Sequence, residues 1–165
     1  MNGITIYHWI VITLNVIVLA FMYILIGIKY SSLPDEICSH YNFKGECDNH
    51  SGKGIVFLLP IVSTILSIFL SLMCLLPTKY WKVNTGVESI ELPEEIKGEV
   101  KSIVCLFCVL DSLIIAIFMA YVLNCMIFSW SVSTIFLIIF IISLIFMVFW
   151  LLYAIYSKIN QFLHN

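Results

Sequence analysis

The chain has 165 residues, of which 62% are hydrophobic and 11% charged, with a mean hydropathy of +1.08 and a formal net charge of -2. A soluble domain carries about 25% charged residues, so a water-soluble fold is excluded by the apolar surface it would leave uncovered, and lipid is the solvent this composition fits. Nearly all the charges fall in two segments, and no basic run marks a nucleic-acid surface.

Four apolar runs follow one another: Ile4 to Ile28, Gly54 to Leu76, Ser102 to Phe128 and Val132 to Tyr156. Each exceeds the roughly 20 residues a helix needs to cross a hydrocarbon core. The alternating ten-residue segments of a closed barrel are not seen. The chain is therefore expected to be an all-α integral membrane protein, a single domain of four transmembrane helices bundled as two helical hairpins. No lysine or arginine precedes the first run and no small-x-small site closes it, so it should remain as a helix rather than be cleaved as a signal peptide.

The connections are two long segments, residues 29–53 and 77–101, and one tight turn near Ser129 to Ser131 that makes the last two helices antiparallel. With four spans both termini lie on one side. If that side is the cytoplasm it receives Lys79, Lys82, Lys97, Lys101 and Lys158, against Lys29, Lys44 and Lys53 outside. The excess of lysine favours cytoplasmic termini, an extracellular first loop and a cell-membrane location. All basic residues are lysine, and isoleucine and asparagine are plentiful, as an AT-rich bacterial coding sequence produces.

In the second long segment, Pro93 followed by Glu94 and Glu95 reads as a helix start that runs straight into the third span. Val87, Ile90, Leu92 and Ile96 are expected partly against the membrane surface, and Trp81 and Trp130 as interfacial anchors. The third span carries Asp111, the one carboxylate inside an apolar run. At that depth it should face the bundle and find a partner, with Asn15 and the serines Ser63, Ser67 and Ser71, spaced by four on one helix face, as candidates. Asp111 reads either as a proton or ligand site or as a protonated packing residue.

The first loop holds Leu33-Pro34, Ile37, His40, Asn42, Gly45, Asp48 and Lys53, in a spacing that continues into Pro60. This resembles a bacterial membrane family with the pattern L-P-x-x-I-P-x-H-[FY]-N-x-x-G-x-P-D followed by a lysine. It is the domain of unknown function that forms the front half of SdpI-type immunity proteins. The resemblance implies protection from an extracellular peptide toxin and signalling to a cytoplasmic repressor. Leu33, Pro34, His40, Asn42, Gly45, Asp48 and Lys53 are then the residues that contact a ligand or partner. The motif of the SdpI domain proper is not present after Pro77.

Where that family has proline, this chain has Cys38 and Cys47. Prolines and a disulfide both restrict the unfolded chain, and the exchange points to a Cys38–Cys47 disulfide on an outward surface. Two rival readings are unpaired thiols and a metal site from Cys38, His40, Cys47 and His50, although their spacing matches no standard zinc pattern. No cofactor is implied. Cys105 and Cys108 form a C-x-x-C that, with the loop cysteines, suggests a four-helix thiol oxidoreductase. The two pairs should, however, lie on opposite sides of the membrane. A small transporter using Asp111 is the third class.

Overall fold

The computed structural model describes residues 4–77 and 93–164. Trp81, the surface segment around Val87, Ile90 and Leu92, and the lysines Lys79 and Lys82 lie outside the described residues. The chain forms helix α1 (Ile6–Lys29), strands β1 (Glu36–Tyr41) and β2 (Cys47–Gly52), then helices α2 (Leu58–Met73), α3 (Glu94–Phe128) and α4 (Thr134–His164). All four helices are long and apolar enough to span a membrane, α2 together with the 3-10 turn that leads into it from Lys53. This is an all-α multi-pass membrane protein, and it sits in the lipid bilayer.

In lipid there is no hydrophobic force to bring helices together, so close packing and hydrogen bonds decide their arrangement. The helix built for close packing is α3. Its buried residues Cys105, Val109, Ser112, Ala116, Ala120 and Leu123 recur every three or four positions, and the stripe is small at its middle. Both α1 and α2 pack along this stripe more extensively than on each other. α4 packs principally on another flank of α3, where Phe118 stacks on Phe140 with ring centroids 4.0 Å apart. The bundle is organised around α3 rather than as a closed ring of four equal helices.

α3 begins where the acids after Pro93 predict, with Pro93 as N-cap and Glu94 and Glu95 in its first turn. Its 35 residues reach roughly 50 Å at about 1.5 Å each, well beyond a hydrocarbon core of about 30 Å. α4 likewise continues past Tyr156 to His164, and there Lys158 Nζ lies 2.9 Å from Glu99 Oε2. At the same end, His8 of α1 is buried. Its Nδ1 accepts from the Thr5 backbone N–H at 3.0 Å, leaving Nε2 to donate to the Ser102 carbonyl of α3 at 3.0 Å. In α2, Pro60 falls in the first helical turn, where a missing N–H costs no intrahelical bond.

Midway along the bundle the three packed helices share a buried polar layer. Asn15 Nδ2 donates to Ser112 Oγ at 2.6 Å and to Ser67 Oγ at 3.3 Å, and Ser112 Oγ donates to Ser67 Oγ at 2.9 Å. One donor and acceptor set thus fixes α1, α2 and α3 in mutual register. Such bonds in a membrane contribute about 0.6 kcal/mol on average and up to about 1.7. Asn15→Ala, which removes the shared partner of both serines, should lower the unfolding free energy in micelles by about 1 kcal/mol; steric-trapping or SDS titration measures it.

Candidate functional site

The segment that carries the loop motif is not an irregular loop but a two-stranded antiparallel β-hairpin, with Glu36 opposite Gly52 and Tyr41 opposite Cys47. An isolated hairpin of this length is marginal in water, and this one is held in three ways. Cys38 and Cys47 form a disulfide with their Cα atoms 5.8 Å apart. In the chain-entropy model, closing a loop of about ten residues stabilises by roughly 2 to 3 kcal/mol. With both sulfurs in that bond they are not free thiolates, and among the described residues no group of three His, Cys, Asp or Glu side chains could hold a metal.

Packing is the second constraint. Leu33 and Ile37 are buried in a cluster with Met22 and Ile26 of α1, Val56, and Leu123, Met126 and Ile127 of α3, and Tyr41 packs against its edge. Leu33, expected to contact a partner, is instead a core residue of the hairpin's seat. The third constraint is the hairpin tip, built by Asn42. Asn42 Oδ1 accepts from the backbone N–H of Lys44 at 2.8 Å and of Glu46 at 3.1 Å, and its carbonyl accepts from Gly45 N–H at 2.8 Å. Gly45 has φ +77°, the left-handed region that favours glycine. Its carbonyl accepts the Val132 N–H at 2.8 Å, so the tip is docked on the α3–α4 turn. A Cβ at Gly45 would collide with the Val132 carbonyl.

The remaining motif residues sit on the hairpin's open side. His40 Nδ1 meets Asp48 Oδ1 at 2.5 Å across the strands, and Lys53 Nζ meets Asp35 Oδ1 at 3.0 Å beside the Tyr30 ring. Both pairs are solvent-exposed and contribute little to stability. Pro34 is exposed at the mouth of a cavity of about 330 Å³ between the hairpin and the α3–α4 turn. Glu36, Tyr41, Glu46 and His50 line it from the hairpin and Trp130 from the turn. The sequence reading missed Glu36, Tyr41 and Glu46 as a group, because only the strand pairing brings them together.

Tyr41 has a further peculiarity. Its hydroxyl is buried and has no hydrogen-bond partner among the described residues. Burial pushes the phenol up to about 12, with Cys125 and Tyr121 adding to the shift in the same direction.

The intramembrane candidates separate. Asn15 and Ser67 join the buried layer, whereas Asp111 is only half-buried and the bonds expected to reach it go to Ser112, one position on. A helix turns about 100° per residue, so adjacent positions face different ways. Cys105 packs beside Cys74 and Val11 in a cluster at the end of the bundle remote from the hairpin. From Cys108 to Cys125 along α3 is on the order of 25 Å, so the hairpin disulfide and the C-x-x-C do not meet.

Two substitutions test this seat. Gly45→Ala should destabilise the hairpin by more than about 1 kcal/mol, the left-handed strain plus the lost approach to Val132, seen as faster proteolysis between Tyr41 and Cys47. Tyr41→Phe, by contrast, should stabilise by roughly 1 kcal/mol, since it removes an unpaired buried hydroxyl. The raised phenol favours the protonated folded state. That stability is intact below about pH 10 and is lost as pH rises through about 12, and thermal melts of the Phe variant should lack this alkaline loss.

Residues 16–64, which run from α1 through the hairpin into α2, match the model of a family described as "Domain of unknown function (DUF1648)". No curated protein and no solved structure matches the chain.

Proposed function

We propose that this is a recognition protein of the SdpI-like immunity or signalling type, set in the bacterial cell membrane with both termini cytoplasmic and the hairpin outside. The ligand is an extracellular peptide toxin or another envelope component, met by the hairpin's open face. The observation that carries this reading is the hairpin itself. A polar β-hairpin, stapled by a disulfide and bonded at its tip to the α3–α4 turn, presents a cavity lined by both carboxylate and aromatic side chains at one end of an otherwise apolar bundle. The family match of residues 16–64 contains the whole hairpin but assigns it no function, so the reading rests on the hairpin's geometry and on the resemblance of its motif.

A held surface of this kind suits binding better than catalysis. Preorganised groups lose less conformational freedom when a ligand arrives, and the exposed His40–Asp48 and Lys53–Asp35 pairs supply polar contacts on a fixed frame. The acidic segment from Glu88 to Glu99 is the surface for a basic cytoplasmic partner such as a repressor; within its described part Glu95 is exposed, while Glu94 and Glu99 are paired with Lys97 and Lys158.

Expression in a toxin-sensitive strain, challenged with the secreted peptide fraction of a producing culture, tests the reading. Survival should require the protein, and His40→Ala and Asp48→Ala should lose protection at wild-type expression. Full protection by both variants, or no protection by the wild type, would overturn it.

A further inference from the structure

We propose that the cavity between the hairpin and the α3–α4 turn is a subsite for an organic cation, the ammonium or guanidinium of a basic side chain on the recognised peptide. This deepens the recognition reading above and rests on it. Two carboxylates, Glu36 from β1 and Glu46 from the hairpin tip, line the same cavity with His50, and no lysine lines it. Of the three lysines at this end, Lys53 is paired with Asp35, Lys29 is held over the Phe128 ring at 5.4 Å from its centroid, and Lys44 is exposed at the hairpin tip outside the cavity lining. Glu46 is oriented by Asn42 Nδ2, which donates to its Oε2 at 3.2 Å. That bond leaves acceptor capacity on the carboxylate for an incoming donor.

The opposite wall makes the site selective for an organic cation over a metal ion. Trp130 is 59% exposed, stacks on Phe128 at 5.1 Å between centroids, and lines the cavity together with Tyr41. An aromatic face attracts an alkylammonium or guanidinium by its quadrupole and packs against the attached methylenes. A metal needs three or more converging ligands, and no such group exists among the described residues. The volume of about 330 Å³ lies at the lower limit of small-ligand sites, about 300 Å³, which suits one long side chain rather than a helix.

The probe is tetralysine, with its fully Nε-acetylated form as the uncharged counterpart, titrated by calorimetry into the protein in phosphatidylcholine nanodiscs. Tetralysine should bind saturably and the acetylated peptide at least tenfold more weakly. Glu36→Gln combined with Glu46→Gln should weaken binding at least tenfold, and Trp130→Leu several-fold. Gln keeps the Asn42 contact at position 46, and each variant is scored only after its thermal melt matches the wild type. Equal binding of the two peptides, unchanged binding in the double variant, or equal competition by calcium would overturn the proposal. Protection that depends on His40 in a chain that ignores tetralysine would reject the cation site and leave the recognition reading standing. Saturable tetralysine binding in a chain that protects no cells would do the reverse.

Discussion

The helices meet because α3 is narrow where the others must approach it. In a bilayer the lipid tails are as good a partner for leucine as another helix is, so a run of large apolar residues confers no preference. Ser112, Ala116 and Ala120 change that, since small side chains let two backbones come close and gather dispersion contacts that lipid cannot supply. The Asn15–Ser67–Ser112 layer adds direction to that attraction. Polar groups at this depth bond to each other or stay unpaired, and only one rotation of α1 and α2 about α3 pairs them.

The hairpin inherits its position from the same arrangement. Ile37 and Leu33 sit in the crevice that α1 and α3 form at one end, and without that crevice two short polar strands have little to pack on. The disulfide and the Gly45–Val132 bond then remove most of the freedom that remains. What results is a small piece of water-facing β structure with a fixed orientation to the membrane, whose exposed groups are spaced by strand geometry rather than by loop flexibility.

Much of this was legible in the residues. Four spans followed from run length alone, and the start of α3 followed from Pro93 and its acids. The disulfide was readable because both cysteines stand where a resembling family has prolines. The strands were not legible, because β2, Cys47–Gly52, is built from Asp, Asn, Ser and Gly, residues strands usually avoid, and register shifts break its alternation with β1. The centrality of α3 was hidden for a different reason: lipid-facing and protein-facing sides are equally apolar, so hydropathy carries no phase. A charged residue drew attention to Asp111, while the position that bonds, Ser112, is ordinary in composition.

The docking of Gly45 on Val132 also sets an order of assembly. Strand pairing and the Cys38–Cys47 bond involve residues close in sequence. The acceptor surface for the tip belongs to the turn between α3 and α4, which is synthesised only after α2 and most of α3. The hairpin therefore gains its full seat only when the last pair of helices is in place, and the docked tip is a contact that depends on their correct arrangement.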